Sequence, residues 1–324
     1  MAALTLPKAG TIQMKLDLVA EFLREHDNYE ILTHAYPDGD TLGSGYALCL
    51  ALQQLGKNAR VITTDLPKDF TFLLEGVKVQ SFDAQTIVSV DVADEKLLGS
   101  NKESYSGKIQ LCIDHHEINR VEAELKHVEA EAAANCEILY RLFRLMNIDI
   151  TKQIANCLYT GVSTDTGCFR YTNTTAQTFR TAADLLELGA DTAYINKVMF
   201  ETKTKKKIAL EREVYDTIEY CFDDKCAVIA VTNEMRRKLG VNDNELEGLA
   251  SIPRQIEGVL VGITMREREE GGFKVSVRSD SNVNAAEFCA RFGGGGHAAA
   301  AGCTVKGSLE DAKSKLLTAL EEFI

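Results

Sequence analysis

The chain has 324 residues and a formal net charge of −12, with 45 % hydrophobic and 26 % charged residues. These values are typical of a globular protein that is long enough to form two domains. The acidic balance argues against tight, non-specific binding to long duplexes, which depends on many Lys and Arg contacts to phosphates. It is compatible with a small anionic substrate held by bound metal ions.

Targeting and redox signals favour a cytoplasmic protein with no membrane partner. No run of about 18 apolar residues predicts a membrane span, and residues 1–10 lack the basic and apolar regions of a secretory signal. The nine cysteines are scattered, and none forms a Cys-x-x-Cys pair. We therefore interpret them as reduced core residues rather than as a disulfide or zinc framework.

The first half of the chain alternates between helical and strand-like patterns. Apolar residues recur at helical spacing over 13–26 and 41–55. Short apolar runs predict buried strands at 29–34, 59–63, 86–91 and 109–114. This alternation predicts a doubly wound α/β domain, with a mostly parallel sheet and helices on both faces.

The second half begins with helices and then changes rhythm. Helical patterns cover 131–146, 152–162, 175–188 and, in a polar and charged stretch, 191–220. Strands are then predicted at 227–231, 259–266 and 273–278, and helices at 284–292 and 308–323. We therefore predict a catalytic domain over 1–190, a helical linker over 191–220 and a smaller α+β domain over 221–324.

A histidine and two aspartates follow the first predicted strand, in His34-Ala-Tyr-Pro-Asp38-Gly-Asp40. Pro37 and Gly39 favour a tight turn that can direct the three side chains to one point. An Asp-Gly-Asp sequence is also typical of a plain turn, but the histidine directly before it favours a metal site.

Three further acidic positions end apolar segments. Asp91 ends a strand, where ligands of open α/β sheets gather, although a helix cap would explain it as well and Asp94 is the better cap candidate. Asp114-His115-His116 ends another strand, and three polar groups there are difficult to place in a core. Asp165 ends a helical pattern before a glycine turn, so that a cap and a metal ligand are equally compatible with it.

These clusters together supply five carboxylates and three histidines. That set is sufficient for two hexacoordinate divalent ions. Hard oxygen ligands with imidazole suit Mn²⁺, or Mg²⁺ less well, and no cysteine pattern favours zinc.

A glycine-rich motif near the C-terminus suggests an anion site. Four consecutive glycines, Gly293, Gly294, Gly295 and Gly296, let the backbone approach a ligand closely and point amides at it. Arg278 and His297 add donors for a phosphate. The alternative is a flexible glycine loop without a ligand.

The motifs in this order resemble the DHH phosphoesterase family. His-x-x-x-Asp-x-Asp, a strand-end Asp, Asp-His-His and Asp-Thr-Gly match its catalytic domain, and Arg278-Ser279 with Phe-Gly-Gly-Gly-Gly-His297 match its associated small domain. At this length the chain most resembles the NrnA type of bifunctional oligoribonuclease and 3′-phosphoadenosine 5′-phosphate (PAP) phosphatase. The resemblance implies an active site in the cleft between a DHH domain and a substrate-binding domain.

The resemblance also implies a role for each residue. His34 and Asp38 would bind one metal, Asp40, His115 and Asp165 the other, and Asp91 would bridge them. His116 would lie beside the substrate phosphate, with Asp114 orienting the histidines. The remaining motif residues would bind substrate, namely Arg278, Ser279, Gly293, Gly294, Gly295, Gly296 and His297. Asn135, Cys136 and Cys168 replace the polar or hydroxyl residues frequent in the family, which leaves the fine substrate preference open.

The implied reaction is attack of a metal-bound hydroxide on phosphorus, with two Mn²⁺ ions and with Mg²⁺ or Co²⁺ as alternatives. Short single-stranded oligonucleotides and PAP are the implied substrates, and a homodimer is compatible with the family. A cyclic dinucleotide (c-di-AMP) or linear dinucleotide phosphodiesterase is the main alternative. Pyrophosphatases have a different second domain, RecJ-type exonucleases are longer, and a non-catalytic nucleotide sensor would show no turnover.

Overall fold

The computed structural model describes residues 12–246, 248–280 and 283–324. The interpretation of residues 1–10 as lacking a secretory signal lies outside them. The chain divides into two compact units, of which the first ends at Thr202 and the second spans Lys203–Ile324. That division falls inside the segment 191–220, whose role as a linker stays a prediction. None of the helices in the described part of the chain combines the length and apolar character needed to span a membrane.

The first unit is built on a six-stranded sheet with the order β1-β6-β5-β4-β2-β3. All of its neighbouring strands pair in parallel. The mostly parallel α/β sheet predicted from the alternating pattern is therefore confirmed. Its strands are β1 (Ile12–Gln13), β2 (Tyr29–Leu32), β3 (Ala59–Ile62), β4 (Thr86–Val90), β5 (Ile109–Asp114) and β6 (Ala123–Val128).

Both faces of this sheet are covered. On β2, Ile31 belongs to the main core beneath the long helices, whereas Leu32 belongs to a smaller core on the opposite face. The smaller core is closed by the short helical segment Glu95–Asn101 and by α3. The helices of this unit are α1 (Leu16–Glu25), α2 (Gly39–Gln54), α3 (Lys102–Tyr105), α4 (Asn135–Met146), α5 (Lys152–Asp165), α6 (Ala176–Glu187) and α7 (Thr192–Asn196).

The strand order reverses direction beside β2. The chain passes from β2 to its neighbour β3, and then crosses to β4 on the other side of β2. The connections after β2 and β4 therefore diverge, which opens a crevice at the carboxyl ends of these strands. This crevice is where the fold of the first unit places a ligand.

The second unit has its own sheet, with the order β11-β12-β10-β9-β8-β7. Its pairings are antiparallel except for β8 with β9. The predicted smaller α+β domain is thus confirmed. Its strands are β7 (Glu219–Cys221), β8 (Cys226–Val231), β9 (Val261–Glu267), β10 (Phe273–Ser279), β11 (Gly295–His297) and β12 (Ala300–Val305). Its helices are α8 (Lys205–Tyr215), α9 (Asn233–Leu239), α10 (Ala285–Ala290) and α11 (Leu309–Leu320).

Candidate functional site

The turn between β2 and α2 carries the first histidine and two of the aspartates. Asp38 is the N-cap of α2, where its Oδ1 accepts hydrogen bonds from the backbone N–H groups of Asp40 and Thr41, both at 3.1 Å. A capping oxygen of this kind satisfies amides that have no partner inside the helix. The other oxygen, Oδ2, lies 3.5 Å from His34 Nε2. The cap therefore fixes the carboxylate so that its second oxygen faces the histidine.

Asp40 is fully buried and joins α2 to the start of α4. Its Oδ2 accepts from the N–H of Asn135 at 2.6 Å, and its Oδ1 accepts from the N–H of Cys136 at 2.9 Å. Ala134 caps α4 without a side-chain hydrogen bond, so Asp40 supplies the missing acceptors from another helix. The helix predicted over 131–146 therefore begins at Asn135. Burial raises the pKa of the Asp40 carboxyl.

Asp91 occupies the centre of the site. It follows β4 in a left-handed conformation, with φ of +55°, which is uncommon for a residue other than glycine. Its side chain is buried, and its Oδ1 has no hydrogen-bond partner among the described residues. Oδ1 lies 3.4 Å from His115 Nε2, and Oδ2 lies 3.9 Å from His34 Nε2. Burial and the nearby Asp40 carboxylate raise the pKa of Asp91 well above its ordinary value.

The ring of His115 is held in one orientation. Its Nδ1 lies 3.1 Å from the carbonyl of Ala132, which can only accept, so Nδ1 carries a proton. Nε2 faces three carboxylates, at 3.4 Å from Asp91 and Asp165 and at 3.7 Å from Asp40. Although burial opposes it, these carboxylates raise the pKa of His115 to about 10. Fixing one ring nitrogen by a carbonyl is the usual way to present the other to a metal.

Three overlapping groups of side chains have the geometry of metal sites. His34, Asp38 and Asp91 make the first group, and Asp40, His115 and Asp165 make the second. A third group consists of Asp91, His115 and His116 and shares members with the other two. In each group the candidate ligand atoms lie within 4.8 Å of one another. The orphaned Asp91 oxygen and the mutual repulsion of the buried carboxylates fit a bound cation, which would satisfy both.

Asp114 and His116 form a hydrogen-bonded pair next to these ligand groups. Asp114 is fully buried at the end of β5, and its Oδ1 accepts from His116 Nδ1 at 2.8 Å. Its Oδ2 accepts from Asn119 Nδ2 at 2.7 Å. The hydrogen bond and charge of Asp114 raise the pKa of His116. Sequence reasoning missed Asn119, since nothing in the sequence shows that the loop after the motif folds back onto Asp114.

Two of the three residues that depart from the family pattern lie in the core, next to the Asp40 carboxylate. Asn135 and Cys136 are fully buried, and Asn135 Nδ2 donates to Ser44 Oγ at 2.8 Å. Their backbone amides hold Asp40, so they position a carboxylate from within the core. Cys168 lies in the turn after Asp165, with φ of +58°.

In the second unit, two of the predicted substrate residues lie at the end of β10. Arg278 lies on β10, and its Nη1 donates to the Val277 carbonyl at 3.2 Å. Ser279 is fully buried, and its hydroxyl lies 2.6 Å from the carbonyl of Val283 and 3.1 Å from that of Ala298. Ser279 therefore holds the loop backbone, and its contact with substrate stays a prediction.

The glycine motif is partly a strand and not only a loop. Gly295–His297 forms the exposed edge strand β11, paired with β12. A Cβ on Gly294 would come within 2.2 Å of the Gly302 carbonyl, and one on Gly296 within 2.5 Å of the Ala300 carbonyl. Gly295 has open space at that position. Gly294 and Gly296 are thus required for close packing against β12, whereas Gly293, at φ of +70°, and Gly295 both have open space.

We expect Mn²⁺ to stabilise the protein more as the pH rises. His115 has its pKa raised from 6.5 to about 10 and Asp165 from 3.8 to about 7, the latter by burial and by Asp40. Both groups bind a proton more tightly in the folded state than in the unfolded state. The stability that this gives the metal-free protein is complete below the pKa of the unfolded state and is lost as the pH rises through the pKa of the folded state. A metal replaces these protons. The difference in melting temperature with and without Mn²⁺ should therefore grow between pH 6.5 and 10. A difference that does not change with pH would contradict the ligand assignment.

Two family models match the chain, the DHH family N-terminal domain over residues 29–162 and the DHHA1 domain over residues 223–324. The bifunctional oligoribonuclease and PAP phosphatase NrnA of Thermus thermophilus is 33 % identical over 316 residues, covering 95 % of this chain and 94 % of that protein. The cyclic-di-AMP phosphodiesterase GdpP of Geobacillus thermodenitrificans is 25 % identical, covering 86 % of this chain but 44 % of that protein.

The crystal structure of an exopolyphosphatase-related protein from Bacteroides fragilis has a TM-score of 0.87 to this chain at 25 % identity. The similarity covers 95 % of this chain and 96 % of the other. The motif residues of the catalytic domain, far apart in sequence, meet at one edge of the sheet, and a protein of nearly equal length shares a third of the residues. The chain therefore belongs to the DHH phosphoesterase family, in its NrnA branch, and is a hydrolase of phosphoester bonds.

Proposed function

We propose that the chain is a two-metal, manganese-dependent enzyme that hydrolyses short oligoribonucleotides and PAP. The observation that carries this proposal is the position of Asp91, whose Oδ2 faces His34 of one ligand group and whose Oδ1 faces His115 of another. The similarity to the bifunctional oligoribonuclease and PAP phosphatase of Thermus thermophilus supports the two substrates.

The donors of the two groups favour manganese. We assign His34 and Asp38 to one ion, Asp40, His115 and Asp165 to the other, and Asp91 to both. Each set combines carboxylate oxygens with imidazole nitrogen and contains no cysteine thiolate. Such sets suit Mn²⁺ and accept Co²⁺, whereas Mg²⁺ prefers oxygen ligands and water.

Bound ions would supply a hydroxide nucleophile near neutral pH and would neutralise the charge of the phosphate. The protein contributes the proton for the leaving oxygen. His116 keeps its Nδ1 hydrogen-bonded to Asp114, which leaves Nε2 to face the substrate. Because Asp114 favours the protonated ring, His116 can donate a proton from Nε2 to the oxygen that departs.

We assign to the second unit the binding of one end of the substrate. Arg278, His297 and the amides around Gly295 would bind a terminal phosphate, while Ser279 holds the loop in place through two backbone carbonyls. The metal ligands and these phosphate ligands belong to different units of the chain.

A turnover screen with added Mn²⁺ tests the proposal. We expect the highest rates for oligonucleotides of about two to five residues and for PAP, and low rates for strands of about thirty, because a net charge of −12 disfavours the many phosphate contacts that a long strand needs. Removal of the metal with a chelator should abolish the activity. Efficient digestion of the long strand, or turnover confined to a cyclic dinucleotide or to pyrophosphate, would refute the proposed substrates.

Arg278→Ala should impair the binding of substrates with a terminal phosphate. Loss of a charge-assisted hydrogen bond predicts a KM raised roughly 10- to 100-fold for a 5′-phosphorylated dinucleotide. The KM of a simple phosphate ester that reaches only the metals should change far less. Arg236→Ala is a matched control, since Arg236 lies on α9 and pairs with Asp243. An unchanged KM on the phosphorylated dinucleotide would remove Arg278 from the site.

A further inference from the structure

We propose that Tyr36 is the stacking platform of a nucleobase subsite beside the metal ligands. This inference rests on the proposed function and deepens it, because it assigns the substrate class to nucleotides rather than to inorganic polyphosphates. Tyr36 lies two residues from His34 and two from Asp38, and it is 84 % exposed. A large aromatic side chain is thus presented to solvent between two proposed metal ligands.

The backbone on the N-terminal side of Tyr36 is fixed. The N–H of Ala35 donates to the carbonyl of Leu97 at 2.6 Å, and the Thr64 hydroxyl donates to the carbonyl of Ala35 at 3.1 Å. The backbone at Gly99 lies so close to Ala35 that a Cβ added to Gly99 would be 2.5 Å from Ala35 Cβ. Two segments of the first unit, one around Thr64 and the other Glu95–Asn101, therefore hold this end of the turn.

The backbone on the C-terminal side is fixed as well. Pro37 has a restricted φ, and Asp38 is tied to α2 through its two capping hydrogen bonds. Tyr36 is consequently an exposed ring on a rigid turn. A ring that is already positioned loses little conformational freedom when a flat ligand stacks on it, which favours binding.

Other exposed aromatic residues of the first unit pack against their own chain. Phe179 stacks on Phe169 at a centroid distance of 5.4 Å, and Tyr194 meets Phe72 edge-on at 5.5 Å. The ring of Tyr171 lies against Gly167, where a Cβ would come within 2.3 Å of it. Among the described residues, Tyr36 takes part in no aromatic pair. Its ring is therefore available to a ligand in a way that the others are not.

The position of Tyr36 fits a base rather than another phosphate. The Cα atoms of residues two apart are separated by about 7 Å at most, so the Cα of Tyr36 lies within about the length of one nucleoside of those of His34 and Asp38. A phosphate held by those groups would place its own base near the ring. Stacking on an aromatic side chain is strong and tolerates any base, and it strengthens binding on the order of 10-fold or more. Polyphosphate offers nothing for the ring to bind.

The absence of tryptophan from the chain allows a direct test. Tyr36→Trp introduces a single fluorescent reporter at the proposed subsite. We expect AMP, in the presence of Mn²⁺, to quench it with saturation, and ribose 5-phosphate and inorganic phosphate to have little effect. Tyr220→Trp is the control, because Tyr220 is 52 % exposed but lies on β7 of the second unit. Equal quenching by AMP and ribose 5-phosphate would overturn the proposal.

Kinetics provide a second, independent readout. Tyr36→Ala should raise the KM for a dinucleotide on the order of 10-fold relative to the KM for a base-free phosphate ester. Tyr36→Phe and Tyr36→Trp should restore it. If dinucleotides are hydrolysed but the alanine variant leaves this ratio unchanged, the base subsite is wrong while the proposed function stands. If no nucleotide is hydrolysed but AMP still quenches the tryptophan variant, the proposed function fails and the subsite stands.

Discussion

Asp91→Ala should abolish phosphoester hydrolysis and weaken the binding of both metal ions. Its Oδ1 and Oδ2 face His115 and His34, which belong to different ligand groups. Because we assign Asp91 to both ions, removal of this one carboxylate takes a ligand from each proposed site. Because burial raises the pKa of Asp91 well above its ordinary value, the carboxylate destabilises the metal-free fold. The variant should consequently stay folded without metal, which separates a loss of metal from a loss of structure.

A calorimetric titration with Mn²⁺ measures the effect. We expect two tight sites in the parent protein and none of comparable affinity in Asp91→Ala. Asp94→Ala is the matched control, since Asp94 lies three residues on and only caps a short helical segment through the N–H of Lys96. That control should cost about 1 kcal/mol of stability and leave metal binding intact. Two undiminished sites in Asp91→Ala would show that Asp91 does not bridge.

The strands that position the site could be predicted because they are buried on both faces. Apolar runs predict strands at 29–34, 86–91 and 109–114, and the structure forms Tyr29–Leu32, Thr86–Val90 and Ile109–Asp114. In a parallel sheet the carboxyl ends of these strands lie at one edge, so the polar residues after them must meet. Local pattern and parallel topology together are sufficient to predict the cluster.

Other features depend on contacts that are distant in sequence. The strand Ala123–Val128, which lies between β1 and β5, alternates buried and partly exposed residues and contains Lys126 and His127, so no apolar run marks it. The start of α4 at Asn135 is determined by Asp40, a residue far away in the chain. The pairing of Gly295–His297 with β12 could not be predicted either, because a glycine-rich sequence suggests a loop.

The candidate site shows the same limit. Sequence and resemblance predict which residues gather, and the structure brings His34, Asp38, Asp40, Asp91, Asp114, His115, His116 and Asp165 together. They do not predict which ring nitrogen of each histidine is engaged. That choice is made by the Ala132 carbonyl for His115 and by Asp114 for His116. It distinguishes His115, whose Nε2 faces carboxylates, from His116, whose Nδ1 is engaged by Asp114 and whose Nε2 we propose to face the substrate.

His116→Ala should lower the rate of hydrolysis roughly 10²- to 10⁴-fold while the protein keeps its metal. The Nδ1 of His116 lies 3.7 Å from Asp91 Oδ1, close enough to suggest a ligand role. However, Nδ1 donates to Asp114 Oδ1 at 2.8 Å, and a nitrogen that carries a proton cannot bind a cation. The four ligands assigned to the ion beside it, Asp40, Asp91, His115 and Asp165, are not changed by this substitution.

The identity of the leaving group tests the role assigned to His116. A p-nitrophenolate leaves without a proton, whereas a ribose alkoxide needs one, so the variant should lose far less activity on a p-nitrophenyl ester than on a dinucleotide. His26→Ala is the matched control, because His26 stacks on Phe22 at the end of α1. If His116→Ala loses manganese together with activity, the roles of His115 and His116 must be exchanged. If both substrates lose activity equally with the metal retained, His116 binds the phosphate and does not protonate the leaving oxygen.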